Sequence, residues 1–234
     1  MSGISALRRH WTYGHLARRG KAAAVILGLA LGTPAMAETT QVLALGDSLT
    51  QGYGLPAKDG LVPQLERWLQ ARGHDVKIVN GGVSGDTTRG GLARVSWSLT
   101  QGMDAMIVTL GGNDILRGVD PAETRSNLDG ILQIGQSKGV EMLVIGLYAS
   151  QNYGADYKKA FDRIHPELAE TYGALYEPNY FQALIGDDGD PSAYVKYMQM
   201  DGIHPKAVGV ARIVERIGPR VEELIGRVET RAEG

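Results

Sequence analysis

Apolar strands alternating with amphipathic segments predict a three-layer α/β/α fold of the flavodoxin-like kind, with a mostly parallel five-stranded sheet. Three observations lead there. Apolar, β-branched runs recur at Gln41 to Leu45, Val76 to Val79, Ala105 to Leu110 and Val140 to Leu147, and such near-continuous runs suit parallel strands covered on both faces. The segments between them carry helical periodicity. Short loops rich in glycine and polar residues follow the strand ends, where ligands of open α/β sheets bind.

The elements follow in order. Arg8, Arg9, Arg18, Arg19 and Lys21 precede an apolar run from Ala22 to Leu31, which ends in Thr33-Pro34-Ala35-Met36-Ala37. A basic start, an apolar centre and small residues at the cleavage point predict a signal peptide over 1–37, cut near Ala37, and hence a periplasmic or secreted protein. The apolar run is about half the length a membrane-spanning helix requires. The remainder, 38–234, is expected to form one domain. After the first strand, Gly60 to Arg72 sets Leu61, Leu65, Trp68 and Leu69 on one helical face. Pro121 to Lys138 groups Leu128, Ile131, Leu132 and Gln133 and stops at Gly139, a residue suited to a helix end. A fifth strand is expected near Ala174 to Tyr176, and a closing helix from Pro205 to Val228.

Charge and composition exclude several function classes. Five of the 24 basic residues lie in the leader, which has no acidic residue, so 19 basic groups face 26 acidic ones in the remainder, a net −7. An acidic body argues against nucleic acid as a partner. Cysteine is absent, which rules out disulfides and thiol catalysis. Only His74, His165 and His204 follow the leader, too few and too scattered to suggest a metal site.

The chemistry is concentrated in four loops. Gly46-Asp47-Ser48-Leu49 ends the first strand, where a serine serves either as a helix cap or as a nucleophile exposed at the sheet rim. Asp201-Gly202-Ile203-His204-Pro205 precedes the closing helix. There Asp201 can fix the tautomer of His204 and leave its other ring nitrogen to take the serine proton; alternatively the segment is an Asp-Gly turn with a surface histidine. Asp162-Arg163-Ile164-His165-Pro166 nearly repeats the same text. The helical spacing of Tyr157, Phe161, Ile164 and Leu168 sets His165 inside a helix descending from the rim, as a polar helix-face residue beside Asp162. Gly85, after Ser84, and Asn113, within Gly111-Gly112-Asn113-Asp114, offer a backbone N–H and a side-chain amide to an oxyanion. Each also reads as an ordinary turn residue.

These four motifs, in this order, resemble the GDSL family, also called SGNH hydrolases, over nearly all of the chain after the leader. The resemblance implies Ser48 as nucleophile, Asp201 and His204 as the acid and base partners, and the Ser48 N–H, Gly85 and Asn113 as the oxyanion hole. It also implies hydrolysis of small-molecule or lipid esters, and of thioesters, without a metal or organic cofactor. The size, leader and surrounding sequence are most similar to the periplasmic arylesterase, lysophospholipase and acyl-CoA thioesterase branch, for which transient contact with a membrane surface is expected. A carbohydrate O-deacetylase shares the fold and triad, and a lipid- or glycan-binding module could retain the fold alone. Two segments are expected to overhang the rim as an acyl pocket, Tyr148 to Tyr157 and Ile185 to Met200, with Tyr153, Tyr197 and Met198 as substrate-binding candidates. Asp187, Asp188 and Asp190 read as a solvated turn rather than a calcium site.

Overall fold

Strands β1 (Thr40–Gly46), β2 (Val76–Gly82), β3 (Ala105–Thr109), β4 (Glu141–Ile145) and β5 (Leu175–Glu177) lie side by side in the order β2-β1-β3-β4-β5, every pairing parallel. This is the flavodoxin-like strand order, whose direction of winding reverses next to β1. The computed structural model describes residues 39–185 and 194–232; the expected leader and Asp187, Asp188 and Asp190 lie outside the described residues.

Alternation along each strand divides the core in two. Val42 and Ala44 of β1, with Ile107 of β3 and Leu143 and Ile145 of β4, face α2 (Leu61–Gln70) and α8 (Ala207–Ala232). Leu43, Leu45, Met106, Val108 and Val144 face the opposite layer, formed by α3 (Thr88–Ser98), α5 (Pro121–Ser137), α6 (Ala155–Asp162) and α7 (Ile164–Thr171). The helices are held by the stripes expected of amphipathic sequences. Leu61, Leu65 and Leu69 of α2 are buried, as are Val210, Ile213, Val214, Ile217, Val221 and Leu224 of α8. Gly218 lets α8 come down on α2, because a Cβ there would lie 2.5 Å from the indole of Trp68.

Three features depart from the sequence expectation. α3 was not foreseen: Gly90 and Gly91 weaken its helical pattern, yet Thr87 caps its start by accepting from the Gly90 N–H, and Gly91 packs directly on Leu110. The stretch from Ala155 to Thr171 is two helices meeting at Arg163, since Pro166 fits only the first turn of a helix. In α5, Gln133 is exposed while Leu128, Ile131 and Leu132 are buried. Among the described residues, no helix is long and apolar enough to cross a membrane.

Candidate active site

β1 ends at Gly46 and the chain enters the short α1 (Ser48–Gln51). Asp47, not Ser48, caps this turn, its Oδ1 accepting the Leu49 N–H at 3.0 Å. The cap reading of Ser48 is thereby removed, and its hydroxyl is available for another partner. The adjoining strand closes tightly on this turn: a Cβ on Gly82, at the end of β2, would lie 2.3 Å from the Gln51 nitrogen.

Arg94 of α3 fastens the two strand ends together. Its guanidinium donates to the Gly46 carbonyl at 2.8 Å, to the Gly81 carbonyl at 2.7 Å and to the Asp86 carboxylate at 2.7 Å. Between these strand ends and α3 runs the loop carrying Gly85, which adopts φ +77°, a conformation that favours glycine. Among the described residues, the backbone N–H groups of Ser48 and Gly85 donate to no acceptor.

Asn113 stands in the first turn of α4 (Gly112–Arg117). The next residue, Asp114, is fully buried and accepts from the backbone N–H and hydroxyl of Thr88 and from the hydroxyl of Thr124, which ties α4 to α3 and α5. The Asn113 amide donates one N–H to Asp47 Oδ2 at 3.1 Å, leaving its second N–H for a ligand. Burial pushes the Asp47 carboxyl up to about 6, against the opposing pull of the Leu49 N–H and the Asn113 amide. Asp47 and Arg94 were missed by sequence reasoning. The bonds that tie them across the site, Arg94 to the Gly46 carbonyl and Asp47 to the Asn113 amide, span 48 and 66 residues, and no local pattern announces those partners.

The fourth segment lies just ahead of α8. Met198 and Pro205 form an antiparallel bridge, and the loop between them turns at Gly202, φ +66°. Asp201 Oδ1 accepts the N–H groups of Ile203 and His204 at 2.9 and 3.0 Å, while its Oδ2 lies 2.7 Å from His204 Nδ1. These bonds, led by the one from the ring, hold the Asp201 carboxyl down to about 2, so it is ionised at neutral pH. His204 Nε2 lies 2.8 Å from Ser48 Oγ. Gln199 clamps the loop to the turn after α1, its amide donating to the Tyr53 carbonyl at 2.8 Å and to the Pro205 carbonyl at 3.0 Å. The Tyr53 ring covers that of His204, with centroids 4.6 Å apart.

The second Asp-x-Ile-His-Pro segment has a different environment. His165 is buried rather than on a polar helix face, and its Nε2 meets the Leu110 carbonyl at 3.0 Å. It lies level with the end of β3, because α7 begins at Ile164. Burial lowers its basicity. Asp162 does not partner it; that carboxylate accepts from the Ala149 N–H and from Lys158.

A cavity of about 710 Å³ opens beside Ser48, His204 and Asn113. Its walls are mainly apolar, with Leu49, Ile115, Leu147, Phe181, Ile185 and Tyr194 prominent. The expected binding trio is corrected. Met198 is buried in the core beneath the bridge to Pro205. Tyr197 packs under Lys196 and Arg212, its hydroxyl accepting from Arg212. Tyr153 leans over Gly118 and donates to the Leu116 carbonyl. None of the three lines the cavity, although Tyr148, Ile185 and Tyr194, from the same two segments, do. Among the described residues, no cluster of His, Asp and Glu is arranged to hold a metal ion.

A hydroxyl bonded to an imidazole that is in turn bonded to a carboxylate, beside an apolar cavity, is the constellation of a serine hydrolase. The chain belongs to the GDSL-like Lipase/Acylhydrolase family, whose sequence profile matches residues 44–212. It is 35% identical over 200 residues to Esterase TesA of Pseudomonas aeruginosa, a match covering 85% of this chain and 96% of that protein. It is 33% identical over 202 residues to the Escherichia coli protein named Thioesterase 1/protease 1/lysophospholipase L1, covering 85% of this chain and 91% of the other. The crystal structure of AlinE4, an SGNH-hydrolase family esterase, is 40% identical with a TM-score of 0.65, covering 80% of this chain and 97% of the other. The protein is a GDSL-type serine hydrolase acting on ester bonds.

Proposed function

We propose that Ser48 is the nucleophile of an acyl-transfer reaction to water, with His204 as its base and Asp201 as the group that orients His204. The 2.8 Å contact between Ser48 Oγ and His204 Nε2 carries the reading. With Nδ1–H donated to Asp201, Nε2 is free to accept the serine proton as Oγ attacks the carbonyl carbon. The developing oxyanion is met by the Ser48 N–H, the Gly85 N–H and the second N–H of Asn113. Collapse of the tetrahedral intermediate expels the alcohol or thiol, which takes the proton from His204. Water, deprotonated by the same imidazole, then releases the acid and restores Ser48.

The apolar walls favour acyl chains over sugars, so the substrates are carboxylic esters and thioesters of fatty or aryl-bearing acids. Residues 1–37 act as an export signal, and 38–234 as one catalytic domain in the periplasm or outside the cell. Replacing Ser48 with Ala should abolish hydrolysis of p-nitrophenyl esters and labelling by a serine-directed phosphonate, while leaving Tm within a few degrees of the parent. Turnover surviving in S48A would refute the assignment. Matched oxygen esters, thioesters and lysophospholipids of graded chain length then rank the substrates.

A further inference from the structure

The cavity crosses the carboxyl edge of the sheet from β1 to β5. Ser48 follows β1, Asn113 follows β3, Leu147 follows β4, and Asn179 and Phe181 follow β5. Three strand spacings separate the two ends, about 14 Å. A chain joined to Ser48 by its carbonyl and lying along this groove therefore points its outer half toward Asn179.

Asn179 is the anomaly in that apolar end. It is only 6% exposed, and it lines the cavity. Its Oδ1 accepts the Phe181 N–H at 3.1 Å, which settles which side-chain atom is oxygen. Its Nδ2 donates to no acceptor among the described residues. Nor is that nitrogen sealed in the interior: the enclosed orphan atoms among the described residues are Trp68 Nε1, His165 Nδ1 and the Tyr180 hydroxyl. The open space available to a residue so deeply buried is the cavity itself. A donor that opens onto an apolar groove loses its water when an acyl chain fills that groove, which is costly unless an acceptor on the chain meets it.

The geometry points to Asn179 as a specificity-determining residue that selects acyl groups carrying an acceptor oxygen, such as an oxo or hydroxyl group, on their outer half. This rests on Ser48 being the nucleophile. Nδ2 donates to that oxygen, while the Phe181 N–H keeps the carboxamide in place. An unsubstituted chain leaves the donor unpaired or traps a water against it.

The test compares kcat/KM for p-nitrophenyl decanoate with that for p-nitrophenyl esters of oxodecanoic acids bearing the oxo group at successive outer positions. An oxo group only accepts, so it reads the donor alone. The parent enzyme should prefer one of the oxo esters over decanoate. In Asn179→Leu that preference should fall by about three- to tenfold, carried by KM with little change in kcat. Asn179→Asp retains an acceptor for the Phe181 N–H but has no donor, so it should lose the preference too, and it supplies the answer where the leucine variant does not fold. A parent with no oxo preference, or a preference unchanged in a folded variant, overturns the assignment. The S48A control separates this from the underlying reading: inactive S48A together with an oxo preference that persists in the Asn179 variants removes only the role of Asn179, whereas active S48A removes the nucleophile.

Discussion

Asp47 joins two halves of the site, accepting from the neighbouring Leu49 N–H on one side and from Asn113, 66 residues further along the chain, on the other. Its carboxyl is pushed from 3.8 up to about 6 by burial. The native state therefore holds a proton at Asp47 more tightly than the unfolded chain, and above about pH 6 it bears the full cost of a buried charge, on the order of 3 kcal/mol. Asp47→Asn should accordingly raise stability at pH 7.5, by a gain that shrinks as pH falls from about 6 through 3.8, below which the parent carboxyl is neutral in both states. The same change should lower kcat by about ten- to a hundredfold, because Asn113 loses its charged anchor. Chemical denaturation across pH, with kinetics at pH 7.5, checks both. Ser48 and His204 were legible in the sequence because each stands in a short, self-contained motif, whereas Asp47 is a letter of such a motif whose partner is remote. The environment of His165 was hidden for a related reason: its acceptor, the Leu110 carbonyl just past the end of β3, stands 55 residues earlier.

Close approach between neighbouring elements positions the site. β2 can reach α1 only because Gly82 has no side chain, a Cβ there falling 2.3 Å from the Gln51 nitrogen and 2.9 Å from the Asp47 carbonyl. Backbone cannot rotate away as a side chain can. Gly82→Ala should therefore destabilise the protein by about 2 kcal/mol and depress kcat, whereas Gly226→Ala in α8, where a Cβ meets nothing within 4 Å, should stabilise it by about 0.5–1 kcal/mol and leave kcat unchanged. Thermal unfolding and ester kinetics on the two variants decide it. The strands, α2 and α5 were readable because their apolar spacing matches their burial. α3 was not, since its paired glycines serve close contacts, Gly90 with the Asp86 side chain and Gly91 with Leu110 and Ile131, which is a tertiary demand that overrides local propensity.

At the scale of the molecule, parallel topology brings the ends of β1, β3, β4 and β5 to one edge and so determines where the cavity lies. That edge was legible from the alternation of strands and helices. The cavity lining was not, because loop side chains such as Asn179 and Tyr194 have no periodicity to betray their direction. The bond between Ser48 and His204 spans 156 residues, and His204 stands just ahead of α8, the helix that seats Gly218 on Trp68. So long a separation means the relay is not closed by local structure, and it is expected to form only once α8 has docked. Trp68 is covered on one side by α8 and on the other by the Arg72 guanidinium, 3.4 Å from its ring. In refolding from denaturant, recovered esterase activity should track the slowest change in Trp68 emission, read in the 38–234 form, which lacks Trp11, with Trp97→Phe in addition, and never precede it. Activity that returns earlier would mean the relay closes without α8 docked. On the expected outcome, turnover is a clock on the docking of α8, and a single indole set to watch that helix arrive reports when catalysis becomes available.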